Sequence, residues 1–135
     1  MSRQEIEEKL KGHGILPTAQ RLEVAETLLV RPQHLSADQI IDQLRSSGSR
    51  VSKATVYNTL KLFTNNGLVK EITVADSRKF FDSTTHPHHH FYHVETGELT
   101  DIPASSVGIL DLPPLPEGTE QDSVEVLIRV RNKQD

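Results

Sequence analysis

The residues of this chain whose type and spacing could do chemistry are its histidines. Five of the seven fall within His86-Pro87-His88-His89-His90-Phe91-Tyr92-His93. Each imidazole offers a nitrogen ligand and changes charge near neutral pH. Pro87 and the Phe91-Tyr92 pair predict a fixed turn followed by a strand. Side chains along a strand alternate faces, so His88 and His90 point one way and His89 the other, which suits a two-histidine metal pincer. A solvated histidine cluster in an interdomain linker is the alternative reading of the same residues. The chain has no cysteine, which excludes thiolate metal sites, disulfides and cysteine nucleophiles or redox switches. Any metal would be held by imidazole, carboxylate or water.

The elements that must position these residues are legible from caps and periodicity. Ser2 with Glu5 and Ser36 with Gln39 are capping boxes, and Thr18 reads as a third N-cap. Helices are predicted from about residue 3 to 11, from Thr18 to before Pro32, and from Ser36 to Gly48. A fourth starts at Ser52, buries Val56, Leu60 and Phe63, and ends at Asn65-Asn66-Gly67. Residues 68–74 and 79–82 read as a hairpin around Ala75-Asp76-Ser77-Arg78. Three or four helices followed by a hairpin form the winged helix-turn-helix pattern. Beyond the histidines, 90–95 and 98–102 can pair around Thr96-Gly97, and 123–131 reads as a final strand. The Pro-rich stretch between them is irregular, with at most a helical turn near 105–110. The expected fold class is α+β. A winged-helix domain (1–83) leads through a hinge (84–88) to a small C-terminal α/β dimerisation domain (89–135). Three strands in so short a module are too few for an independent core, which predicts a homodimer.

Net charge is −4, yet residues 1–82 carry 12 Lys+Arg against 10 Asp+Glu, and residues 83–135 carry 3 against 9. No acidic residue lies between Asp42 and Glu71, whereas Arg45, Arg50, Lys53, Lys61 and Lys70 do. A chain acidic overall has cleared negative charge from the surface that would meet phosphates. The expected contacts to double-stranded DNA are Arg21, Ser52, Lys53, Thr55, Tyr57, Asn58 and Lys61, mostly on the fourth helix. No signal-peptide core and no run of about 18 apolar residues is present, so a cytoplasmic protein with no membrane partner is expected.

His34-Leu35-Ser36-Ala37-Asp38, Ala54-Thr55-Val56-Tyr57, Gly67-Leu68-Val69, Phe81-Asp82 and His88-His89-His90-Phe91-Tyr92 follow one another as in the ferric uptake regulator (Fur) superfamily, which the chain resembles over roughly residues 5–131. With Asp101-Ile102-Pro103, Pro116-Glu117-Gly118 and a terminal Val-Arg strand, it is most similar to the Irr-type iron-response branch. The resemblance implies a DNA-binding dimer, a repressor on a palindromic operator, with a regulatory metal held by His34, Asp82, His88, His90 and Asp101. Three imidazoles and two carboxylates suit Fe²⁺ or Mn²⁺ and tolerate Zn²⁺. It also implies two alternatives of the same fold, a haem sensor and a peroxide sensor, with His86, His89 and His93 as a possible second metal or haem site. The superfamily's structural zinc is absent, because His93 and Thr96 stand where its first cysteine pair would fall. Enzymatic hydrolysis at His86-x-His88 is set aside, since no base and nucleophile accompany it.

Overall fold

A computed structural model describes residues 1–74, 78–86, 88–108 and 111–134. They fall into two compact units, Met1–Thr85 and His86–Asp135.

In the first unit, α1 (Arg3–Gly12), α2 (Ala19–Leu29), α3 (Ala37–Ser46) and α4 (Lys53–Asn65) start at the N-caps read from the sequence. The reciprocal boxes of Ser2 with Glu5 and Ser36 with Gln39 are closed. Each satisfies two first-turn N–H groups that would otherwise lack partners. Gly67 closes α4 with φ 74°, and the Leu68 N–H bonds back to the Phe63 carbonyl at 2.9 Å. That bond takes Leu68 into the helix terminus, so the following strand β2 spans only Lys70–Thr73 and not 68–74. The hairpin partner is β3 (Lys79–Asp82); the expected turn at Ala75-Asp76-Ser77 lies outside the described residues.

A third strand was not expected from the sequence. β1 (His34–Ser36) pairs antiparallel with β3, giving the order β1-β3-β2. Ser36 ends β1 and also caps α3. The core gathers Ile6 and Leu10 of α1, Leu22 to Leu29 of α2, Ile40 and Leu44 of α3, and Val56, Leu60 and Phe63 of α4.

In the second unit, β4 (His89–His93) pairs antiparallel with β5 (Leu99–Ile102) around Gly97, whose φ is 75°. β6 (Leu127–Val130) lies parallel to β4, giving the order β5-β4-β6. It is shorter than the strand expected over 123–131. The helical turn expected near 105–110 is a 3-10 turn at Ala104–Ser106; Ile109 and Leu110 lie outside the described residues. Tyr92, Leu99 and Ile102 are buried, whereas Phe91 and its β6 neighbour Ile128 are each 39% exposed.

Phe63 is fully buried at the centre of the helical core. Truncation to alanine should cost about 3–5 kcal/mol by loss of buried surface and creation of a cavity. Urea unfolding of Phe63→Ala checks this; a loss under about 1 kcal/mol would mean the site collapses without penalty or is not core.

Candidate metal centre and nucleic-acid face

Backbone register decides which donors can meet. In the first unit His34 of β1 lies directly opposite Asp82 of β3. Directly opposite residues have Cβ atoms about 4.5–5.5 Å apart on one face. The His34 ring packs edge-on against Phe80, with centroids 6.1 Å apart. Asp82 is 1% exposed and accepts the Thr84 N–H at 2.8 Å. A carboxylate at that depth is tolerated only with donors or a cation beside it.

In the second unit the same arrangement recurs, with His90 of β4 opposite Asp101 of β5. His88, just before β4, joins them: His88 Nε2 and His90 Nε2 each lie 3.3 Å from Asp101 Oδ1. All three offer ligand atoms within 4.8 Å of one another, and both imidazoles are buried. The His88 Nδ1–H donates to the His86 carbonyl at 2.9 Å. Its Nε2 is therefore the nitrogen that faces the carboxylate oxygen, and a proton or a metal ion between the two makes that contact favourable.

The donor set fits a divalent cation. Separations of about 3.0–3.4 Å are the edges of an octahedron or tetrahedron with bonds near 2.1 Å. A metal-binding imidazole commonly donates its other N–H to a carbonyl, which fixes its orientation, as His86 provides for His88.

The remaining histidines are used differently. His86 stacks at a tilt on His88, 5.7 Å between centroids. His89 is buried, and its Nδ1 accepts the Val126 N–H at 2.8 Å, tying β4 to the chain entering β6. His93 Nδ1 accepts the Thr96 N–H at 3.3 Å, so its Nε2–H donates to Asn132 Oδ1 at 2.8 Å. These bonds hold His89 and His93 in separate places and do not gather them with His86. Pro87 lies outside the described residues. His13 Nδ1–H donates to the Lys9 carbonyl at 2.9 Å, a helix-end cap.

On the first unit, α4 exposes Lys53, Tyr57, Asn58 and Lys61, with Tyr57 50% exposed. Ser52 is occupied as N-cap, receiving the Thr55 N–H at 3.1 Å and donating to the Thr55 hydroxyl at 2.9 Å. One Arg21 guanidinium N–H donates to the Leu16 carbonyl at 2.9 Å, which plants that side chain beside the start of α2. Sequence reasoning missed this anchor, because its acceptor is a backbone carbonyl with no residue signature.

Four capped helices, a three-stranded wing sheet and a second small sheet bearing clustered donors define a winged-helix protein with an appended β unit. Residues 13–111 match the ferric uptake regulator family, and the chain belongs to it, a family of transcription regulators. It is 37% identical over 101 residues to the peroxide-responsive repressor PerR of Staphylococcus aureus strain Mu50, covering 73% of this chain and 68% of that one. The Staphylococcus saprophyticus PerR is 35% identical over 93 residues, and the match spans 69% of this chain but only 63% of the relative's length. The fold is that of the Pseudomonas aeruginosa ferric uptake regulator solved with manganese, with a TM-score of 0.74 at 24% identity over 99% of this chain and 100% of that one. The Vibrio cholerae ferric uptake regulator gives 0.74 at 23% identity, covering 93% and 98%.

The geometry around Asp101 leads to a direct expectation. His90→Ala should lower Zn²⁺ affinity by more than the roughly 10–100-fold that loss of a mere supporting group costs. Calorimetric titration against a competing chelator measures it. Unchanged affinity would remove His90 from the ligand set.

Proposed function

We propose that the chain is a metal-responsive transcription regulator, not an enzyme, that binds duplex DNA as a homodimer and represses from a palindromic operator. A single divalent cation is held by His88, His90 and Asp101 of the second unit together with His34 and Asp82 of the first. The observation that carries this reading is the convergence of two buried imidazoles on Asp101 Oδ1, with His88 Nδ1 committed to the His86 carbonyl. Nitrogen and oxygen donors without sulfur favour Fe²⁺ or Mn²⁺, and Zn²⁺ would occupy the site in vitro. Drawing donors from both units, the cation sets their relative orientation and hence the spacing of the two recognition helices in a dimer. α4 enters the major groove, with Tyr57 and Asn58 at base edges and Lys53 and Lys61 on phosphates. Units 1–83 and 89–135 then serve as DNA-binding and dimerisation domains. The exposed Phe91–Ile128 pair offers a second copy an apolar surface on a sheet too small to stand alone. No helix among the described residues is long and apolar enough to cross a membrane, and we place the protein in the cytoplasm.

A second reading within the same fold is supported by the relatives at 35–37% identity, which are peroxide-responsive repressors. With Fe²⁺ bound, peroxide would oxidise a ligand imidazole and release the DNA. A gain of one oxygen atom on His34, His88 or His90 by mass spectrometry, with Fe²⁺ and not with Mn²⁺, decides for it. No geometric observation favours a haem site at His86, His89 and His93.

Fluorescence anisotropy with a duplex selected from a randomised pool tests the main reading. Mn²⁺ should raise affinity at least about tenfold over chelator-treated protein, a coupling of about 1.4 kcal/mol. Tyr57→Ala and Lys61→Ala should each weaken binding with metal content unchanged, and Lys61→Ala should lower the salt slope by about one. Unchanged affinity in both variants would put the wrong helix in the groove. Sedimentation of the same preparation should give a dimer; a monomer at micromolar concentration contradicts the assembly.

A further inference from the structure

The stretch between β5 and β6 serves neither the metal centre nor the DNA face. Residues 111–123 form no helix or strand and are exposed throughout, Leu112 at 50% and Leu115 at 51%. In Leu112-Pro113-Pro114-Leu115-Pro116 every residue either is a proline or precedes one. Proline fixes its own φ and bars the preceding residue from the helical region. With no strand to pair with, the backbone conformation left to this run is polyproline II. The run ends sharply. Gly118 takes φ 80°, and the Pro116 carbonyl accepts the Thr119 N–H at 3.2 Å and the Thr119 hydroxyl at 2.6 Å.

A polyproline II helix repeats every third residue, about 9 Å along its axis. Leu112 and Leu115 therefore share one edge, and Pro113 and Pro116 share the next. Grooves lined by aromatic rings take leucine–proline pairs spaced in this way, because the ligand is already extended and loses little freedom on binding. The surroundings are acidic. Asp111 and Glu117 flank the run, Glu120 and Asp122 follow it, and no Lys or Arg lies between Lys79 and Arg129. That charge repels nucleic acid and anionic lipid surfaces and calls for Lys or Arg at the rim of a protein groove.

A second copy of this chain does not supply such a groove. Phe63, Phe80, Phe81 and Tyr92 are buried. The remaining Phe and Tyr rings are Tyr57, exposed on the first unit, and Phe91, exposed on the second. Neither unit shows two such rings to grip a leucine–proline pair. We propose that residues 112–116 are a docking segment for another protein, whose polyproline-binding groove is lined by aromatic rings and rimmed by Lys or Arg. A partner seated there leaves α4 and the metal donors free, so docking rests on neither of their assignments.

The probe is an SH3 domain, which binds proline-rich ligands in an aromatic groove, with its acidic rim residues replaced by lysine. Its unmodified parent is the control, and each is titrated into the whole isotope-labelled chain. The lysine-rimmed domain should give saturable amide shifts centred on Leu112, Leu115 and Glu117, with the parent at least about tenfold weaker. Leu112→Ala and Leu115→Ala should each weaken binding at least about fivefold with an unchanged unfolding midpoint. Asp111→Lys combined with Glu117→Lys should reverse the preference toward the parent domain. No shift with the lysine-rimmed domain at about 1 mM overturns the assignment, as do shifts that survive both leucine substitutions or equal binding of the two domains. If Leu112→Asp with Leu115→Asp turns a sedimenting dimer into a monomer, the segment belongs to a contact between two copies, and the proposal is overturned.

Discussion

Antiparallel pairing places an imidazole opposite a carboxylate twice in this protein: His34 faces Asp82 across β1 and β3, and His90 faces Asp101 across β4 and β5. A one-residue slip in either ladder would turn one partner to the opposite face. The donor geometry therefore depends on register, and register depends on what anchors each strand. β1 is held between the end of α2 and the cap of α3: the Gln33 side chain donates to the Thr27 and Leu28 carbonyls, and Ser36 closes the α3 capping box. β4 is held on both edges, by β5 and by the parallel β6.

The absence of cysteine shapes the second unit. Without sulfur, nothing can bind a structural zinc through thiolates, and hydrogen bonds link the β4–β5 turn to the residues after β6. The His93 ring spans the Thr96 N–H and Asn132, and Glu95 accepts the Asn132 N–H at 3.2 Å. These contacts clasp the residues after β6 to the β4–β5 turn. His89 performs a similar service at the other end of β4 through Val126. Two histidines that composition alone would enrol as ligands thus have structural work, while His88 and His90 are left facing a carboxylate.

What the sequence disclosed follows from the range of the interactions involved. Helix starts were legible because a capping box is complete within four residues, as at Ser2 and Glu5. The shared direction of His88 and His90 followed from strand alternation. β1 was invisible for the opposite reason: three residues, His-Leu-Ser, have no periodicity of their own and become a strand only because β3 arrives more than 40 residues later. The hairpin read around Thr96-Gly97 put Asp101 on the strand paired with that of His90, but its place among the ligands entered through family resemblance. The Arg21 anchor was illegible for another reason: its acceptor, the Leu16 carbonyl, is a backbone group that carries no residue signature.

The central claim is that one cation ties the two donor groups together and so orders the two units. The lack of native cysteine allows clean labelling: Gln43→Cys on α3 and Thr100→Cys on β5 are exposed positions, one in each unit. Electron–electron distance measurement between spin labels at these positions, in dimers diluted with unlabelled chain and with diamagnetic Zn²⁺, reads the orientation directly. The account predicts a broad distance distribution in chelator that narrows to a single peak with Zn²⁺, and no narrowing in His90→Ala. The same distribution with and without Zn²⁺ would contradict it.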